Sequence, residues 1–250
     1  MPASQTPSHG PLVANLIAQL AFGLLAMTIC LPSMQEWGAL FGSDQASVQL
    51  TFSGYVVAYG GLQLLYGPWS DRWGRKKVLM FGLTLAGLGS ALVALSPSLA
   101  WLTAARVLQG AGCAAGMVVG RAMVQDLFTG PERTRVMAYV GMAMGLIPPT
   151  ATILGGQIHV RLGWQANFAL MAVLAVLLFV AAWKGLPDHK PATTVQPHWL
   201  GAMFASYVRL AREPSFLLFV LILSLTTGTF YAFLAGAPIV LGSYGVGPAG

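Results

Sequence analysis

Charge is what this sequence has least of. Asp, Glu, Lys and Arg together make up 8% of its 250 residues, against the roughly 25% usual for soluble domains. Hydrophobic residues reach 56% and the mean hydropathy is +0.70. A soluble globular domain is thereby excluded, and the chain reads as an all-α polytopic membrane protein. Cysteine is nearly absent as well. Cys30 and Cys113 both lie inside apolar runs, which suits neither a disulfide framework nor a metal site and implies free thiols. Acidic residues number 7 against 13 basic ones. That excess is expected of topology in a helical membrane protein and does not call for a nucleic-acid partner. No phosphate loop, embedded metal-ligand cluster or nucleophile motif is present, so neither an enzymatic activity nor a cofactor is expected.

What the sequence does have is apolar runs. Met1 to Pro11 carry no Lys or Arg, so the basic region of a cleaved signal peptide is missing and the following segment reads as a retained span. The runs are Leu12 to Leu31, Val48 to Tyr66, Val78 to Leu95, Leu99 to Met123, Val136 to Ile158, Phe168 to Trp183 and Phe216 to Val240. The first, about twenty residues at ~1.5 Å each, matches a ~30 Å hydrocarbon core. Between the first two, Pro32 to Asp44 reads as a break with Trp37 and Phe41 as interface anchors. In the fourth run Gly112, Gly116 and Gly120 line one stripe for a closely packed neighbour, which predicts a central helix. Asp126 to Arg135 reads as a polar loop. Within the longest polar stretch, Leu200, Met203, Phe204 and Tyr207 recur at helical spacing, predicting an amphipathic surface helix over Trp199 to Ala211.

The charges that remain are concentrated. Gly67 to Lys77 is a hinge in which Gly67 and Pro68 break the helix, Asp71 sits among Arg72, Arg75, Lys76 and Lys77, and Ser70 and Asp71 cap the next helix. Arg72, Arg75, Lys76, Lys77, Arg133, Arg135, Lys184, Lys190, Arg209 and Arg212 fall on one side of the membrane and only Arg161 on the other. That asymmetry predicts a cytoplasmic hinge and N-terminus. Arg72-Trp73-Gly74-Arg75 is echoed three helices later, on the opposite face, by Arg161-Leu162-Gly163-Trp164, the order expected of an inverted repeat.

Arg106 stands apart, roughly 10 Å into the fourth run by helical rise. A charge there costs about 2.5–3.5 kcal/mol on insertion scales, so it must face a cavity or partners. It either holds an anionic or polar group, or biases a neighbouring acid, or ties itself to backbone carbonyls. No Asp or Glu lies inside any of the seven runs to pair with it. Asn15 and Gln19, four apart on one face, together with Thr28, Tyr59 and Gln109, are candidate cavity liners, with interhelical hydrogen bonding as the plainer role. Phe22 and Met27 could supply apolar contacts to a ligand or simply pack. His159, His189 and His198 read as loop residues and carry no chemistry.

These motifs resemble the major facilitator superfamily, in particular its twelve-helix drug/proton antiporter branch of bicyclomycin and chloramphenicol/florfenicol exporters (Bcr/CflA). The residues that carry the resemblance are the hinge, Arg106-Val-Leu-Gln109-Gly110, the run from Gly145-Leu-Ile-Pro148-Pro149 to Gly155-Gly156, Arg121 to Asp126, and Leu234-Ala-Gly236-Ala-Pro238. The resemblance implies a bacterial inner-membrane secondary transporter exporting small apolar drugs by proton antiport and alternating access, monomeric when complete. It divides the chain into a tail (1–11), an N-terminal six-helix bundle (12–183), a central cytoplasmic loop (184–215), and the first helix of a second bundle (216–250) whose helices 8–12 lie beyond it. Gly67, Asp71, Arg72, Gly74, Arg75 and Lys76 would then form a gating loop at the seam of the two halves. Arg106, Gln109, Gln19, Thr28 and Tyr59 would serve substrate or coupling, and Gly145, Pro148, Pro149, Gly155 and Gly156 a functional bend. One departure stands out: Thr28 occupies the position where the branch carries an aspartate, and threonine exchanges no proton at physiological pH. The alternatives are export or import of a metabolite on the same fold, a seven-helix receptor, or a fragment that transports nothing.

Overall fold

Apolar runs can satisfy their backbone inside a bilayer by forming helices, and helices are what the computed structural model contains over its described residues, 10–188 and 199–244. They are α1 (Gly10–Thr28), α2 (Met34–Phe41), α3 (Gln45–Trp73), α4 (Arg75–Ala94), α5 (Leu99–Leu127), α6 (Gly130–Leu162), α7 (Trp164–Gly185), α8 (Trp199–Leu210) and α9 (Pro214–Ser243). Six of them, α1, α4, α5, α6, α7 and α9 over Pro214–Phe233, are long and apolar enough to cross a membrane. Helix α3 has 29 residues but is diluted by Gln, Ser, Gly and Tyr. Its neighbours carry it across nonetheless: Gly54 faces Val107, Tyr55 lies under Gly110 and Gly67 faces Val118. It therefore runs parallel to α5 for about 20 Å by helical rise.

Helix α5 is central, packing on α1, α3 and α4, with 67% of its most apolar window buried. Its glycines explain how three neighbours come so close. A Cβ on Gly112 would strike the α4 backbone at Gly82 and Ala86, one on Gly116 would lie 2.5 Å from the Gln19 carbonyl oxygen of α1, and one on Gly110 2.5 Å from that of Tyr55 in α3. The single stripe expected from the sequence is thus a winding one. Each step of four residues advances about 40° around the helix, so the row passes from α4 onto α1.

Several local expectations are corrected. Gly67 and Pro68 do not break the chain, because α3 continues to Trp73 and Gly74 alone (φ 100, ψ 138) separates it from α4. Only glycine adopts that backbone readily. Pro68 has no N–H to give the Leu64 carbonyl. Tyr207 of α8 supplies the donor instead, its Oη 2.6 Å from that oxygen, so the surface helix docks on α3. Ser70 and Asp71 do not cap α4, which has no side-chain cap; the Ser70 hydroxyl donates to the Gly67 carbonyl. The polar loop 126–135 shrinks to Phe128 and Thr129, with Pro131 in the first turn of α6, where its missing N–H costs nothing. The break at 32–44 contains α2. Trp37 is fully buried there, packed on Trp164 and Phe168 at centroid distances of 5.7 and 6.2 Å, and is not an interface anchor. His159 lies in the last turn of α6 rather than in a loop. Asp44 caps α3 by accepting the Ser47 N–H, and hydrogen bonding from Ser47 holds its carboxyl below the ordinary range. His189 and His198 fall outside the described residues.

Candidate functional site

Arg106 is the hub of a buried polar cluster where α5 meets the end of α1. Its Nη1 donates to the Ala26 carbonyl at 2.9 Å and to Gln109 Oε1 at 2.6 Å, and Nη2 reaches the Met27 carbonyl at 3.5 Å. Gln109 passes the chain on to Ser90 of α4 at 2.8 Å. The guanidinium carbon lies 4.3 Å from the Tyr55 ring centroid and 5.7 Å from that of Phe168. The residue is 0% exposed, its Nε has no partner, and no salt bridge to it occurs among the described residues. A cation is thus held by carbonyl dipoles and aromatic faces, the third of the roles open to it from sequence. Carbonyl dipoles stabilise the charge without neutralising it, so its field persists in the interior.

The other predicted residues divide by location. Gln109 belongs to this cluster. Tyr59 is buried and stacks on Tyr55 at 5.8 Å, its hydroxyl without a partner. Thr28 is fully buried and donates within its own helix to the Leu24 carbonyl at 2.9 Å. Asn15 and Gln19 bond the Ala181 and Leu178 carbonyls, at 2.7 and 3.0 Å, and so tie α1 to α7. In α6 the helix continues through Pro148 and Pro149. Gly155 sits against the Ile29 carbonyl so closely that no Cβ would fit, and its own carbonyl accepts from Asn167 at 3.1 Å. Gly156 is buried, whereas a Cβ on Gly145 would meet nothing within 4 Å. Sequence reading missed Tyr55, Ser90 and Phe168. Only Tyr55 carried a signal, its spacing of four from Tyr59.

The hinge residues form a second site at the basic end. Arg75 pairs with Asp71 and, through Nε at 3.0 Å, with Asp126 at the end of α5. It also donates to Ser70 Oγ at 2.6 Å. Lys76 Nζ donates to the Leu186 carbonyl at 2.9 Å, and Arg72 is exposed on the last turn of α3. Helices α3, α4, α5 and the end of α7 are thereby clamped around Gly74. At the opposite end Gly163 (φ 86, ψ 161) is the single residue between α6 and α7. There His159 Nε2 lies 3.1 Å from Glu36 of α2.

Comparison with known proteins gives a consistent picture. A chloramphenicol resistance protein of Pseudomonas aeruginosa is 31% identical over 244 residues, 96% of this chain and 57% of that protein. Multidrug resistance protein D of Escherichia coli is 26% identical over 232 residues, 93% and 58% of the two chains. A bicyclomycin resistance protein homolog of Haemophilus influenzae is 29% identical over 243 residues, 93% and 60%. The chain therefore spans less than two thirds of the length of these relatives. In three dimensions it is similar to a bacterial homologue of the human lysosomal transporter Spinster, solved inward-facing and unoccupied, with a TM-score of 0.78 at 14% identity over 98% of this chain and 58% of that one. Residues 12–250 match the family described as Major Facilitator Superfamily. With a match of that extent, and with its helices packed as in a solved transporter, the chain belongs to the Major Facilitator Superfamily.

Proposed function

We propose that these residues act in a secondary exporter of small, largely apolar compounds, driven by proton antiport and alternating access, in a bacterial inner membrane. The observation that carries this reading is the likeness to resistance proteins over nearly the whole chain. The basic end, with Arg72, Arg75, Lys76 and Lys77, lies in the cytoplasm together with the N-terminus, as the excess of Lys and Arg there demands. The domain limits expected from sequence are retained, and the protein works as one copy with the helices that complete the fold in its relatives. The Asp71–Arg75–Asp126 clamp acts as one side of a gate. Arg106 presents a fixed positive potential to the substrate path, and Gln19, Thr28, Tyr59 and Gln109 shape its polar surface. The glycines and prolines of α6 let that helix rock. Thr28 supplies no proton carrier, so coupling passes through an acid elsewhere in the protein.

The test is accumulation of labelled chloramphenicol in cells expressing the complete gene product. Expression lowers accumulation, a protonophore restores it, and Arg106→Met abolishes the difference at unchanged protein abundance. Equal accumulation with and without the protein would sink drug export; efflux indifferent to the protonophore would sink proton coupling.

A further inference from the structure

Arg121 has no place in the clusters described above. It lies six residues before the end of α5, about 9 Å from the basic end by helical rise, close enough for its side chain to snorkel into water. It does the opposite. Its Nη2 reaches Met144 Sδ at 3.2 Å, and Met144 is fourteen residues into α6, roughly 21 Å from the same end. Tyr59 is fourteen residues before the end of α3, at the same depth. The guanidinium therefore turns inward to half depth, between α3 and α6, and stays exposed there. A thioether is a weak acceptor, and no carboxylate is paired with Arg121 among the described residues.

The groups around it are equally unsatisfied. The Tyr59 hydroxyl is buried without a partner, as is that of Tyr66, which lies two turns nearer the basic end and stacks on Trp69. Tyr59 is within electrostatic range of Arg121 and of Tyr231 on α9, and both phenols are within range of Cys113. Tyr231 and Met144 pack against the apolar core, which supplies an apolar wall. Beside Gly145 there is open space. Arg106 contrasts in every respect, being sealed and bonded to α1 and Gln109.

We infer that Arg121 and Tyr59 form a substrate subsite that binds the oxygen acceptors of neutral or anionic amphipathic compounds and rejects cations. Donors at half depth that have a thioether or no acceptor at all are complementary to nitro, carbonyl or carboxylate oxygens beside an aromatic ring, with Met144 and the tyrosine faces against the ring. The guanidinium is a cation, so a cationic ligand meets repulsion. This inference rests on the exporter reading for its physiological meaning, but its test does not need transport.

Purified complete protein in lipid nanodiscs is titrated with chloramphenicol, a neutral probe with nitro and amide oxygens, and with ethidium, a cation. Arg121→Gln weakens chloramphenicol binding about tenfold and Tyr59→Phe about threefold, as expected when a site built to hydrogen-bond its ligand loses a donor. Arg121→Lys falls between, and ethidium binding is unchanged or tighter in Arg121→Gln. Should Arg121→Gln prove unstable, Arg121→Lys and Tyr59→Phe carry the same comparison. Chloramphenicol binding that ignores these substitutions, equal loss of both probes, or no binding by the unaltered protein would overturn the subsite. Arg121-dependent binding without any effect on cellular accumulation would instead overturn the exporter reading and leave the subsite standing.

Discussion

The turns at Gly74 and Gly163 invite comparison. Each is one glycine with positive φ and extended ψ (100 and 138; 86 and 161) that ends one helix and starts the next. Each donates its N–H four residues back, to Ser70 and to His159. They lie three spans apart at opposite ends, as the sequence echo predicts. What surrounds them differs. Around Gly74 the buried cation Arg75 is held between Asp71 and Asp126, next to the Trp69, Trp73 and Phe81 rings. Around Gly163 the residues are mainly aromatic, with Trp164 edge-on to Trp37 and Phe41 at 5.7 and 6.0 Å beside the single His159–Glu36 pair. The backbone geometry is common to the two copies; the interactions that fasten it are not. A clamp made of charge responds to salt and to new charged partners, whereas one made of packed rings responds to volume.

The comparison can be broken in three ways. Trp37→Ala should have the largest effect, about 3–5 kcal/mol for a fully buried ring, read as a fall in the thermal unfolding midpoint of the purified protein and unaltered by salt. Gly74→Ala and Gly163→Ala should each cost about 1–3 kcal/mol, because their φ/ψ region is nearly closed to residues with a Cβ. If one is neutral and the other is not, the two turns are not equivalent. Asp71→Asn and Asp126→Asn should be mildest, about 0.2–1 kcal/mol each for partly exposed pairs. The loss should be larger in the double variant and should vanish in about 1 M salt, where the screening length is near 3 Å. Salt-independent losses there would show that the Gly74 turn is held by packing after all.

The spans and the prominence of Arg106 were legible in the sequence because bilayer energetics leave few choices for long apolar runs and for a charge among them. The same energetics placed the glycine-rich helix at the centre. The one-residue turns were not legible. Gly67 and Pro68 carry strong local breaking signals, yet α3 runs through them, and the carbonyl that Pro68 leaves without a donor is met by a hydroxyl 143 residues away in sequence. The burial of Trp37 was hidden for a related reason: a tryptophan near an apolar boundary reads as an interface anchor until α7 is seen to cover it. Arg106 itself was recognised, but its partners are backbone carbonyls of α1, and carbonyls carry no residue signature. His159 was assigned to a loop because the apolar run stops at Ile158, whereas α6 continues to Leu162.

Pro68 can also be regarded as an address. An uninterrupted helix offers no carbonyl in its interior that lacks a donor, so an amphipathic helix lying on the membrane can slide along it without preference. By withholding one hydrogen, Pro68 marks Leu64 as a unique point, and Tyr207 is long enough to find it. Helix α8, between the sixth and seventh spans, is thereby registered to α3 at a defined point. A residue usually counted as a defect in a helix here tells another helix where to sit.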